Sequence, residues 1–139
     1  MTTDILQQLT NFIRIGGQPA VDGLVEAFYR RMDLLAEARE IRAMHQQDLE
    51  STKEVLKRYL AEWLGGPPAY SRERGHPRLR MRHMRFSIGP AEREAWMLCM
   101  RGALDEVVTD ADLRQQLHDA FLKLADWVRN DPENPHDKR

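Results

Sequence analysis

Tyr70-Ser-Arg-Glu-Arg-Gly-His-Pro-Arg-Leu-Arg-Met-Arg-His83-Met-Arg-Phe86 sets one imidazole, His83, within a short run of arginines and apolar residues. Pro77 suits the first turn of a helix, and Leu79 and His83, four residues apart, would then share one face. His76, just before the proline, belongs to the preceding loop. Between Arg72 and Arg85 there are six arginines and one glutamate, so this stretch carries +5. The whole chain is −1, which leaves −6 (−1 less +5) for the remainder. A cationic surround about one imidazole suits a ligand with two demands: a metal that takes a neutral nitrogen, and anionic groups that take arginine.

Outward from this stretch, every long segment has helical periodicity and none alternates with period two. Upstream, Asp4–Arg14 is expected as a short first helix, stopped by Gly16-Gly17. A second helix opens near Pro19 and runs through Phe28-Tyr29 to about Leu35. A brief helical piece over Ala36–Met44 leads to His45. Asp48–Leu64 is a strong helix with Leu49, Thr52, Val55, Leu56, Tyr59, Leu60 and Trp63 on one face, capped by Asp48 or Ser51. Gly65-Gly66-Pro67-Pro68 ends it and begins a loop to Gly75. Downstream, Pro90–Val108 buries Ala95, Trp96, Leu98, Cys99, Gly102 and Ala103. Thr109 caps a last helix, Asp110–Arg129, with Leu113, Leu117, Phe121, Leu124 and Val128 inward. Asn130 onward is polar and is expected to fray. The fold class is all-α, with one helical domain over residues 1–130 and a polar C-terminal tail over 131–139.

At 139 residues the chain has the length of one domain with a substantial core. No apolar run approaches the roughly 18 residues that span a bilayer, and Met1-Thr-Thr-Asp-Ile-Leu lacks the basic start and apolar stretch of a signal peptide. The lone Cys99 has no internal disulfide partner and sits among Trp96, Met97, Leu98 and Met100, so a buried thiol and a cytoplasmic setting are expected. A net charge of −1 argues against a dedicated nucleic-acid binder, although the arginine run alone could meet phosphates. No zinc spacing, P-loop, dinucleotide glycine motif or Ser-His-Asp arrangement is present.

Haem meets both demands of the His83 stretch, since its iron takes histidine and its propionates take arginine. Five motifs in order carry a closer likeness: Phe28-Tyr29, Trp63-Leu64-Gly-Gly-Pro67, Tyr70-Ser71, Gly75-His-Pro-Arg-Leu-Arg-Met-Arg-His83 and Glu92-Arg-Glu-Ala-Trp96. With them the chain resembles the group II truncated haemoglobins over about residues 10–128. The resemblance implies a truncated two-over-two helical sandwich enclosing haem b (iron protoporphyrin IX). It implies His83 as the proximal iron ligand, with Nε2 on iron and Nδ1–H donated to a carbonyl or water. Arg82 matches the propionate-pairing arginine; Arg78, Leu79, Phe86, Tyr59 and Met44 join it as cofactor contacts. Val55 stands where some relatives carry a basic propionate partner. On the distal side the resemblance implies Tyr29 and Trp96 as donors to the bound ligand, with His45 where relatives carry tyrosine or histidine. Thr52 takes the place of a longer distal side chain, and Leu56 lines the same face.

Each of these residues also has a plainer reading. A histidine on a half-buried helix, a tyrosine or tryptophan on an apolar face, and a cysteine beside methionines are most often packing. Arg72, Arg74, Arg80 and Arg85 are expected as solvated charges, and His118 as exposed. The resemblance tips the balance toward a haem protein that binds oxygen, carbon monoxide or nitric oxide. Three donors suit slow release better than bulk transport, pointing to oxygen, peroxide or nitric oxide redox chemistry (peroxidase-like or dioxygenase-like) or sensing, with a reductase as possible partner. The chain is expected as a monomer or homodimer, off the membrane. A haem-free protein-interaction module and a nucleic-acid binder using residues 72–85 are the rival readings.

Overall fold

The computed structural model describes residues 10–130. Its first and last helices start where a side chain relieves unpaired backbone amides. Thr10 is extended and its hydroxyl accepts the Ile13 amide, so α1 (Asn11–Ile15) begins there. A single helix over Asp4–Arg14 is therefore corrected at Thr10, whose hydroxyl offers the backbone a cap in place of another turn. Residues 4–9 of that expectation lie outside the described residues. Pro19 sits in the first turn of α2 (Gln18–Leu34), which stops at extended Leu35. A 3-10 turn (Ala36–Ala38) and α3 (Arg39–Ala43) lead into the His45 segment. Then come α4 (Glu50–Trp63), α5 (Ala69–Arg74), α6 (Leu79–His83), α7 (Pro90–Val107) and α8 (Ala111–Trp127). Asp110, in place of Thr109, caps α8: its carboxylate accepts the Asp112 and Leu113 amides at 3.0 and 3.1 Å. No strand occurs among the described residues.

The loop expected over 65–75 contains α5, and a tertiary cap explains it. The Glu62 carboxylate, on the last turn of α4, accepts the Ser71 amide at 2.9 Å and the Ser71 hydroxyl. Both bonds favour the ionised acid, so the carboxyl of Glu62 is held below its ordinary value, chiefly by the hydroxyl. An N-terminal amide of α5 is thus satisfied from another helix, which local propensity cannot reveal. The tight corner before it depends on Gly66, where a Cβ would lie 2.6 Å from the Phe12 ring and 2.8 Å from the Ala61 carbonyl oxygen.

α2 packs most extensively on α7, α4 lies against α2, and α8 lies against α7. This pairing is the two-over-two sandwich. Phe28, Phe121, Met97, Met100, Leu104 and Leu113 form its deepest layer. Covered by both α2 and α8, α7 buries a wide arc. Met97, Met100 and Leu104 therefore lie deeper than Leu98 and Trp96, which are half-buried, as is Val128 just after α8. Among the described residues no helix is long and apolar enough to cross a membrane.

Candidate functional site

One side of the candidate site is a chain of rings supplied by α2, α4, α7, α8 and the segment after α3. Tyr29 stands edge-on to Phe28 (4.9 Å between centroids) and to His45 (5.8 Å). Phe28 contacts Trp96 at 5.1 Å, Trp96 contacts Phe121 at 5.9 Å, and Phe121 contacts Trp63 at 4.7 Å. The folding of α2 against α7 thus brings Tyr29, His45 and Trp96, 16 and 51 residues apart along the chain, into one cluster. Burial pushes the Tyr29 phenol far above its ordinary value, so its O–H stays a donor. His45 Nδ1 lies 2.8 Å from the Ile41 carbonyl oxygen, which can only accept, so Nδ1 carries hydrogen and neutral His45 has its lone pair on Nε2. Burial holds the His45 imidazolium below its usual range; the Ile41 carbonyl opposes this, while the charges of Arg42 and His83 add to it. Thr52, Leu56 and Tyr59 are half-buried on α4, and Met44 is half-buried beside His45. Tyr59 meets Tyr70 edge-on at 5.6 Å, and its phenol is pushed up to about 12, first by burial and then by Tyr70 and Glu62.

The second part of the candidate site is a short helix held by polar contacts. His83 Nδ1 lies 2.6 Å from the Leu79 carbonyl oxygen, one turn back, which leaves Nε2 as the free lone pair. The influence of His83 on His45 puts the two imidazoles within electrostatic reach of each other. Leu79 and Phe86 flank His83 and are half-buried. Arg82 donates from Nε to the Pro77 carbonyl at 2.8 Å, which fixes the root of its guanidinium in an exposed position. Arg78 opens α6 with φ 47°, and its amide donates to His76 Nδ1 at 3.1 Å. Two arginines expected as solvated charges also stack on rings: Arg80, half-buried, lies 4.9 Å over the Trp127 ring, and Arg85, which is exposed as expected, lies 4.8 Å over Phe86. Flat, weakly hydrated guanidinium stacks readily on rings, which a charge count cannot show. Arg74 lies 4.0 Å from Glu73, and Arg72 is exposed.

Asn130 was not singled out in the sequence, where it opens the polar tail. Its Nδ2 donates to the His83 carbonyl at 2.9 Å and to the Phe86 carbonyl at 2.6 Å. Its Oδ1 accepts the Ile88 amide at 2.9 Å, and its own amide donates to the Ile88 carbonyl at 3.0 Å. Partners more than forty residues away leave no local signature. His118, expected exposed, is half-buried with Nδ1 3.4 Å from an Asp119 carboxylate oxygen. It lines a groove of ≈ 510 Å³ between α7 and α8, with Arg101, Asp105 and Arg114, which gathers none of the ring cluster. Buried Cys99 has its thiol pushed up to about 11 by burial, so it stays protonated and inert.

The residues present fit haem. Among the described residues no three His, Cys, Asp or Glu side chains gather as a set of ligands for a bare ion. His83 supplies an oriented Nε2, and half-buried Leu79, Phe86, Leu56, Tyr59 and Trp96 supply apolar surface. Arg82 and Arg78 supply exposed cations for propionates.

Residues 10–130 match the family model described as bacterial-like globin. Over 117 residues the chain is 37% identical to "Group 2 truncated hemoglobin YjbI" of Bacillus subtilis, covering 84% of this chain and 86% of that protein. It superposes on the group II 2-on-2 hemoglobin from Agrobacterium tumefaciens with TM-score 0.85 and 42% identity, over 88% of this chain and 95% of that one. The cold-adapted truncated hemoglobin from the Antarctic bacterium Pseudoalteromonas haloplanktis gives TM-score 0.86 at 34% identity, over 88% and 98%.

Proposed function

This chain belongs to the group II truncated haemoglobins of the bacterial-like globin family, whose property is haem-based gas binding, and from that premise we propose how its own residues perform it. His83 ligates the iron of haem b through Nε2. The observation that carries this is the 2.6 Å contact from His83 Nδ1 to the Leu79 carbonyl, which selects the tautomer and aims the lone pair. Haem, when bound, would supply an iron able to take a diatomic gas. Tyr29 would offer its O–H, and Trp96 its indole N–H, toward that gas, with His45 as the auxiliary member. The His45 tautomer seen here presents a lone pair on Nε2, so His45 donates from that atom only when protonated or in the other tautomer.

Thr52 and Leu56 line the entry side, and Leu79, Phe86, Tyr59 and Met44 cover the porphyrin faces. Arg82, with Arg78, pairs the propionates. Each donor to a polarised ligand contributes about 1.5–3 kcal/mol, or roughly tenfold or more in release rate. Such retention suits oxygen, peroxide or nitric oxide redox chemistry or sensing, in a cytoplasmic setting with an electron donor, better than carriage.

The test is the absorption spectrum of purified protein, ferric and ferrous, beside His83→Ala. Wild type should show a Soret band and a five-coordinate ferrous haem that takes up carbon monoxide. The variant should lose haem or hold it weakly with a changed spin state. An unchanged ferrous spectrum in the variant removes His83 from the iron. Steeply salt-dependent binding of DNA or RNA, with no Soret band, favours the arginine run as a phosphate-binding surface.

A further inference from the structure

We propose that Asn130 is a positioning residue for the proximal ligand, its side-chain amide clamping the carbonyls of His83 and Phe86 so that the His83 imidazole has one orientation. This rests on His83 being the iron ligand. α6 contributes no buried residue, so packing alone holds it weakly. Its ring is tied at one point by Nδ1 to the Leu79 carbonyl, a bond within the same single turn that moves with it. Asn130 supplies the external reference. Both hydrogens of its amide are spent on this segment, at 2.9 and 2.6 Å, and its oxygen and backbone amide hold both sides of Ile88. The side chain thereby spans the connection from the end of α6 to the start of α7.

The anchor is itself fixed. Asp126, on the last turn of α8, receives Arg93 of α7 at 2.8 Å, and Trp127 lies beneath Arg80 of α6. The end of α8 therefore grips α6 at Arg80, and Asn130, three residues beyond it, grips α6 at the residue proposed to bind iron. Any displacement of the His83–Phe86 backbone, and of the ring it carries, must break one of the two Asn130 donor bonds, although the His83 carbonyl also accepts the Phe86 amide at 3.0 Å. The consequence is a proximal imidazole with a narrow range of azimuths, fixed from the segment after α8, which carries none of the proposed iron or ligand contacts.

The experiment compares holoprotein with Asn130→Asp and Asn130→Ala by resonance Raman of the ferrous state. Asn130→Asp keeps the volume and the acceptor for Ile88 but replaces both donor bonds by repulsion. The iron–imidazole stretching band should shift and broaden in both variants, with haem transfer to an acceptor globin about tenfold faster. The C–O stretch of the carbon monoxide complex, a distal reporter, should not move. A wild-type band left unchanged in both variants overturns the role of Asn130 and leaves the His83 assignment standing. Absence of that band in wild type, or its survival in His83→Ala, overturns the assignment beneath it. Equal shifts of the proximal and distal bands indicate general distortion and overturn positioning. Should the variants fail to fold, wild-type exchange decides: both Asn130 side-chain amide protons should exchange slowly with water, and fast exchange of both overturns the clamp.

Discussion

The two sides of the candidate site are built by different physics. The ring side is assembled from α2, α4, α7 and α8, with Phe28 and Phe121 at most 1% exposed. Its geometry is set by close packing, which tolerates neither voids nor shifts. The His83 side is one turn of helix with no buried residue, held by Leu79, Asn130 and stacked arginines. Polar contacts of this kind contribute about 1 kcal/mol each and compete with water. If the ring side faces the ligand and His83 binds iron, as proposed, the first wall should be rigid before haem arrives and the second completed by it.

The sharpest way to break this comparison is to truncate one residue on each side. Phe121→Ala should cost the haem-free protein about 3–5 kcal/mol, since it removes the ring shared by Trp63 and Trp96. Leu79→Ala, at a half-buried position, should cost clearly less while still loosening haem. Urea unfolding of both haem-free variants measures this; equal losses would mean the two walls are equally packed.

Next in size is the donor pair. Tyr29→Phe and Trp96→Phe should each speed oxygen release about tenfold or more, with carbon monoxide affected less because it carries less negative charge. As donors to one ligand they should be coupled, so the double variant should depart from the sum of the singles. Stopped-flow release of both gases is the measurement. Equal effects on both gases would point to steric access in place of hydrogen bonding.

A smaller effect separates the arginines. Arg82→Ala should accelerate haem loss several-fold, because a paired guanidinium at a partly covered propionate contributes more than a solvated one. Arg72→Ala should match wild type. Indistinguishable rates would remove Arg82 from the cofactor.

The smallest concerns His45. Its imidazolium is disfavoured in the folded state, so unfolding takes up a proton between the folded value and the unfolded value near ~6.5. The resulting stability is present above about pH 6.5 and is lost as pH falls through the folded value. His45→Gln should flatten that part of the stability–pH curve in the haem-free protein. An unchanged slope would place the imidazole in water.

Helix positions around the site were largely legible because caps and breakers act locally. Pro19, Pro90 and Gly65-Gly66 mark boundaries through backbone geometry that any context preserves. Where a boundary depended on a distant partner, the reading failed: α5 is capped by Glu62 from another helix, and Asn130 acts on His83 across 47 residues. Arg80 and Arg85 show the same limit, since charge is readable in sequence but the ring beneath it is not.

The sequence by itself determined an all-helical chain, the family resemblance, and His83 as the imidazole with a cationic surround. Those properties reside in residue type, spacing and short-range backbone preference. Only the tertiary structure decided which nitrogen of His83 and His45 stays free, that the rings from Tyr29 to Trp63 are contiguous, and that α8 grips the helix bearing His83. A hydrogen bond needs two groups at about 3 Å, and that proximity exists only after the helices have packed.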